Sequence, residues 1–187
     1  QADGGTSVGF GLRGMRVANL TMRRDSQVVS LSGSIVKGDS ISGSLAATNI
    51  NLEDLRHLLA KEELEAKSEA FKGVAHLNLT VAGTLQNPAY TASLGAQSVS
   101  FRGVPLGNVV GSFQYHNQLL SASIDVVNSQ VSKSRPPDLV IKGTLPINLD
   151  IAHGEQAIVD RPMDLHIQSE GIQIGILDPI LPTFNQL

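Results

Sequence analysis

Asp138-Leu-Val-Ile-Lys-Gly-Thr-Leu-Pro-Ile-Asn-Leu-Asp-Ile-Ala152 decides the fold class. Taken at every second residue, Leu139, Ile141, Gly143, Leu145, Ile147, Leu149 and Ile151 fall together. Val140, Lys142, Thr144, Pro146, Asn148, Asp150 and Ala152 make the other set. Successive side chains of a strand point to opposite faces, so the stretch reads as one strand with a greasy side and a mostly polar side. At about double the usual ~5–6 residues, it is long.

The same alternation runs outward in both directions. Val29, Leu31, Gly33 and Ile35 stand against Ser30, Ser32 and Ser34. A turn of composition Lys37-Gly-Asp39 follows, and Ile41, Gly43, Leu45 and Ala47 resume the pattern, which predicts a hairpin. Ala75, Leu77, Leu79, Val81, Gly83 and Leu85 form a further greasy set, ended by a turn at Asn87-Pro88. Tyr90, Ala92, Leu94 and Ala96 continue it. The phase then slips to Val99 and Phe101, which predicts a bulge near Gln97-Ser98. Val109, Gly111, Phe113 and Tyr115 are expected to pair with Leu120, Ala122, Ile124 and Val126 across His116-Asn117. Met163, Leu165 and Ile167 alternate with Asp164, His166 and Gln168. The Gly-rich segment 1–27 carries only weak strand signals and is expected to be an irregular edge.

One stretch departs from the two-residue period. Asn51 is placed to cap a helix, with Asp54 three residues on. Leu52, Leu55 and Leu59 make an i, i+3, i+7 stripe, so a short amphipathic helix is expected over 51–70, inserted between strands. Ala82-Gly83-Thr84-Leu85 reappears as Lys142-Gly143-Thr144-Leu145. Asn49 to Leu59 likewise matches Gly171 to Leu181 in outline. These offsets suggest a repeat-like array rather than a closed globule.

Composition narrows the function classes. The 187 residues fit one domain or an elongated array; charged residues are 17% and aromatics 4%, with no Trp, so Val, Ile, Leu and Ala must build the interior. A net charge of −3 offers no basic excess for nucleic acid or anionic headgroups. With no Cys, disulfides and thiolate metal sites are excluded. No apolar run approaches the ~20 residues of a membrane helix. The chain starts at Gln1 and stops at Leu187 just after an apolar segment, so it is expected to be a piece of a longer protein, with any anchor outside it.

Candidate chemistry is sparse. Gly5-Thr-Ser-Val-Gly9 spells a nucleophile elbow, but that motif needs a strand before it and a helix after it, and a Gly/Ser segment is the simpler reading. His57, His76, His116, His153 and His166 show no ligand spacing, so no metal or other cofactor is expected. Asn19-Leu-Thr21 and Asn78-Leu-Thr80 are short sequons. No catalytic residue emerges, and an enzyme is not expected.

What remains is an imbalance. Roughly ten strands with greasy sides are expected, and a single helix to lie on them. The sheet either folds on itself, as a sandwich or barrel, or stays open and is filled by something apolar.

Gly83-Thr-Leu-Gln-Asn-Pro88, Val99-Ser-Phe-Arg-Gly-Val-Pro-Leu106 and Gly111-Ser-Phe-Gln-Tyr-His-Asn-Gln-Leu-Leu120 resemble, in that order, the repeats of the TamB family. So do Gly143-Thr-Leu-Pro-Ile147, Arg161-Pro-Met-Asp-Leu165 and Ser169-Glu-Gly-Ile172. That family is the inner-membrane subunit of the translocation and assembly module, with AsmA-like relatives. The resemblance covers about Val28 to Leu187. It implies an elongated, curled antiparallel or mixed sheet (a "β-taco") with an apolar concave face. It also implies a periplasmic location, and partners in phospholipid acyl chains and an outer-membrane barrel of the TamA type reached through flanks. The function it implies is phospholipid conduction between inner and outer membrane; the alternative is a scaffold that assists outer-membrane protein assembly by strand augmentation. The groove is then expected along Leu77, Leu79, Val81, Leu85, Leu139, Ile141, Leu145, Ile147, Leu149, Ile151, Met163, Leu165 and Ile167.

Overall fold

The computed structural model describes residues 7–11, 14–36, 39–57, 71–101, 103–127, 137–150 and 159–170. These form one ten-stranded sheet whose strands lie in sequence order. The strands are β1 (Ser7–Gly11), β2 (Gly14–Arg24), β3 (Gln27–Val36), β4 (Ser40–Asn51), β5 (Phe71–Thr84), β6 (Pro88–Phe101), β7 (Val104–His116), β8 (Leu119–Val127), β9 (Leu139–Pro146) and β10 (Asp164–Ser169). Every neighbouring pair is antiparallel. β1 and β10 are the two edges, and no second sheet is present among the described residues.

Paired residues in such a sheet point to the same side, so the register turns each strand's alternation into rows. One row runs Leu20, Leu31, Leu45, Leu79, Ala92, Phe113, Ala122, Gly143, Leu165. The next runs Met22, Val29, Ala47, Leu77, Leu94, Gly111, Ile124, Ile141, Ile167. A third runs Val8, Val17, Gly33, Gly43, Val81, Tyr90, Tyr115, Leu120, Leu145. All three lie on one side, called here the aliphatic face. The opposite side carries Ser32, Ser44, Thr80, Thr91, Gln114, Ser121, Thr144 and Asp164 in a single row. Its hydroxyls satisfy one another across strands, Ser32 with Ser44 at 2.9 Å and Ser34 with Ser42 at 3.1 Å.

Bulges keep the two faces in phase. The register shifts at Val17/Leu20, Ala47/Ile50 and Ala96/Val99. Each shift contains a residue with positive φ: Asn19 (53°), Asn49 (57°) and Ser98 (52°). The left-handed region is costly for most side chains, and Asn tolerates it because its short amide can bond the backbone locally. Asn49 is anchored at longer range, its side-chain amide donating to the Ser26 carbonyl, 23 residues away, at 3.1 Å. The bulge expected near Gln97-Ser98 is therefore present. The β7–β8 register is also as expected, with Val109, Gly111, Phe113 and Tyr115 opposite Val126, Ile124, Ala122 and Leu120. Its turn is Asn117-Gln118, both at positive φ, one residue later than the sequence suggests.

Elsewhere the structure differs from expectation. Ser7–Gly11 and Gly14–Arg24, expected within an irregular edge, form β1 and β2, since Val8, Phe10, Met15 and Val17 continue the apolar alternation between the glycines. Asp138–Ala152 is not one strand. β9 ends at Pro146, opposite Leu119 where β8 begins; Ile147 adds one further rung, its N–H donating to the Gln118 carbonyl at 3.0 Å, and beyond it the chain has no partner strand among the described residues. Leu52–His57 is a 3-10 helix of six residues; the rest of the expected helix, through residue 70, lies outside the described residues. Leu52 packs against the cluster Ala75, Ala96 and Val99, and Asp54 accepts a hydrogen bond from the Gln27 side chain at 2.7 Å. Gly83 is next to last in β5 whereas Gly143 sits inside β9 in the row of Leu79, two rows away on the same face, so the two Gly-Thr-Leu segments occupy different places in the sheet.

Candidate functional site

Glycines on the aliphatic face make gaps, and two of them stand side by side. Gly33 pairs with Gly43, between Val17 on β2 and Val81 on β5. Leu31 and Leu45 flank the gap on one side, Ile35 and Ile41 on the other. The result is a depression of about 280 Å³ walled by Met15, Val17, Leu31, Ile35, Ile41, Leu45, Leu79, Val81 and Leu85, with Gly33 and Gly43 as its floor. The serines that border it belong to strands whose hydroxyls are turned to the opposite face, so the slot offers almost nothing to hydrogen-bond. Ile41 at its base is buried, while Met15, Leu31 and Ile35 are 39%, 38% and 41% exposed at its rim. Leu85 closes the end of the slot, where its N–H donates to the Asp39 carbonyl at 2.9 Å.

Over β6 and β7 the same face carries covering groups. The Phe113 ring folds back over Gly111, lying 3.1 Å from where a Cβ on that glycine would stand. Beyond it, Tyr90 and Tyr115 stack with ring centroids 5.4 Å apart. The chain leaving β9 crosses onto them. The Leu149 N–H donates to the Tyr115 hydroxyl at 2.9 Å, and the Tyr90 hydroxyl donates to the Leu149 carbonyl at 3.3 Å. The start of this crossing is pinned where the Ile147 N–H donates to the Gln118 carbonyl at 3.0 Å. Tyr115 is only 3% exposed. The Tyr90 hydroxyl is held above its ordinary value of 10.0, first by burial, then by the neighbouring Tyr115 and Asp150.

The expected groove residues divide accordingly. Leu77, Leu79, Val81, Leu139, Ile141 and Leu145 lie on the aliphatic face, and Leu85 reaches the slot. Leu165 and Ile167 share that face on the edge strand β10, each 54% exposed. Met163 precedes β10 and is 59% exposed. Ile147 is the last rung beyond β9, Leu149 has left the sheet, and Ile151 lies outside the described residues. The walls contributed by β2, β3 and β4 were absent from the expected set. Their alternation is visible in the sequence; that Gly33 and Gly43 face each other is set by the hairpin register. Tyr90 and Tyr115 had no sequence signal beyond position, because their partner is a main-chain amide.

A second hollow, of about 810 Å³, borders Gly9, Gly11, Arg16, Ser34 and Ser42 around β1–β4. The serine hydroxyls there are already bonded to one another. Among the described residues no three His, Cys, Asp or Glu side chains gather where they could hold a metal ion. No protein-family model, curated protein or solved structure matches the chain.

Proposed function

We propose that the aliphatic face is a wall of a hydrocarbon-conducting groove, and that the chain is a segment of a periplasmic, TamB-like protein that passes phospholipids between the inner and outer membranes. Acyl chains lie on the rows of Leu, Val and Ile, and headgroups stay in water. One observation carries this: the slot over Gly33 and Gly43 is lined by aliphatic side chains, on a part of the sheet that no other described element covers. A fully buried aliphatic side chain is stabilised by ~1.5–3 kcal/mol relative to an exposed one. Met15, Leu31 and Ile35 forgo a good part of that, and a hydrocarbon guest restores it. An aliphatic slot suits a methylene chain better than a peptide, whose amides would find no partners there.

A second reading is supported by β10, in which every residue is exposed and whose outer edge has no partner strand among the described residues. Such an edge accepts a strand from a client outer-membrane protein by augmentation.

Mass spectrometry of lipid extracted from the purified chain tests the first reading. Phospholipid is expected to co-purify, and Leu79→Asp is expected to strip it while the far-ultraviolet spectrum stays that of a sheet. A chain that carries no lipid, or a variant that keeps it, would overturn the groove.

A further inference from the structure

The third row of the aliphatic face contains both features described above. Gly33 and Gly43 form the slot floor at one end, and Tyr90 and Tyr115 form the clamp two strands further along. At 4.7–4.9 Å between strands, Gly33 and Tyr90 are roughly 14 Å apart along that row. A guest lying in the slot and extended along the row therefore runs into the main chain of Ile147–Asp150. Ile147 adds one last rung to β9, its N–H bonded to the Gln118 carbonyl, and Asn148–Asp150 then leave the ladder. The Leu149 amide is held by two side-chain hydroxyls in place of a strand, and Asn148 turns the chain by accepting from the Asp150 N–H at 3.1 Å. Strand pairing would fix the segment by a cooperative ladder. Beyond the Ile147 bridge, the hydroxyl contacts at Leu149 are single bonds, each contributing ~0.5–1.5 kcal/mol net, so this part opens at lower cost than the sheet beneath it.

We propose that Ile147–Asp150 is a displaceable strap, clamped by Tyr90 and Tyr115, that closes the aliphatic face over β6–β9 to the hydrocarbon guest occupying β2–β5. The proposal rests on the groove reading for the identity of the guest; the clamp itself does not. When the strap is down, acyl chains stop at Val81. When it lifts, Leu120 and Leu145 become part of a continuous path.

The test uses the whole chain, with Tyr90→Phe/Tyr115→Phe as one variant and Leu149→Pro as a second. The first removes both hydroxyls and keeps both rings; the second removes the N–H and keeps both tyrosines. Hydrogen exchange at the amides of residues 147–150 reads the clamp without any lipid. In the double-Phe variant the Leu149 amide is expected to exchange about tenfold faster or more, with β7 and β8 unchanged. Phosphatidylethanolamine carrying an acyl-chain diazirine, delivered from vesicles, reads the path by peptide mapping. Parent protein is expected to be labelled on β3–β5 and not at Leu120 or Leu145; both variants are expected to be labelled on all of these. Unchanged exchange in the double-Phe variant would overturn the clamp. Faster exchange with labelling still confined to β3–β5 would overturn the strap as a barrier and leave the groove standing. Absence of label on β3–β5 in parent and variants alike would overturn both.

Discussion

Gly33 with Gly43, and Gly111, leave gaps on the same face of the same sheet, and the gaps meet different fates. Over β6 and β7 the Phe113 ring lies across Gly111, and the Tyr90–Tyr115 pair beyond it is capped by Leu149. Over β3 and β4 nothing aromatic is present, and the gap between the glycines stays open as a slot. Tyr90, Phe101, Phe113 and Tyr115 all belong to β6 and β7, while Phe10 on β1 stands 77% exposed at the far edge. The contrast shows how one repeating pattern can make a core in one place and a wall in another. A single-layer sheet needs bulky rings or a returning segment to hide its aliphatic face, and this chain lays them over β6 and β7 and not over the gap in β3 and β4.

The largest effect that could break the comparison comes from placing a charge in each half. Ala96 is 6% exposed and packs with Ala75 and Val99 beneath Leu52. Ala96→Asp buries a carboxylate without a partner and is expected to cost at least about 3 kcal/mol, seen as a lower urea midpoint. Leu31→Asp at the slot rim is expected to cost less than about 1 kcal/mol, because the side chain already meets water. If Leu31→Asp unfolds the sheet as thoroughly as Ala96→Asp, the open half is a core after all and the two regions are equivalent.

A smaller effect sharpens the strapped half. The Tyr90 hydroxyl donates to Leu149, and its pKa is raised by burial and by the negative charges that Tyr115 and Asp150 bring. A raised pKa means that the folded state favours the protonated hydroxyl. Its contribution is therefore complete below the ordinary value of 10.0 and is lost as pH rises through the higher folded value. Thermal stability is expected to decline above pH 10 by no more than about one hydrogen bond, ~1 kcal/mol. Tyr90→Phe is expected to flatten that decline and to leave the β2–β5 half untouched. An alkaline decline that persists in Tyr90→Phe would show that the strap is held some other way.

Much of this architecture is legible in the residues. Alternation located the strands from Val28 onward, the phase slip after Ala96 located the bulge at Ser98, and the β7–β8 pairing follows from matching two alternating runs. What escaped has physical causes. In β1 and β2, glycines dilute the alternation, so an edge that is paired looks irregular. Past Ile147 the alternation continues to Leu149 although the ladder does not, because side-chain period says nothing about where the partner strand begins, and β8 begins at Leu119, opposite Pro146. The slot depends on which residue of β3 stands opposite which residue of β4, and one residue more in the Lys37-Gly-Asp39 turn would separate the two glycines. The clamp is a contact between hydroxyls and a main-chain amide 59 and 34 residues away, which no local pattern encodes.

The most direct test of the central claim uses the two faces of a single strand. A photoreactive amino acid placed at Leu45 looks into the slot, and one placed at Ser44 looks out from the hydroxyl face, one residue away. With the protein expressed in a Gram-negative envelope and irradiated there, the account predicts phospholipid attached at Leu45 and none at Ser44. Equal lipid labelling at both positions, or labelling of protein alone at Leu45, would contradict it.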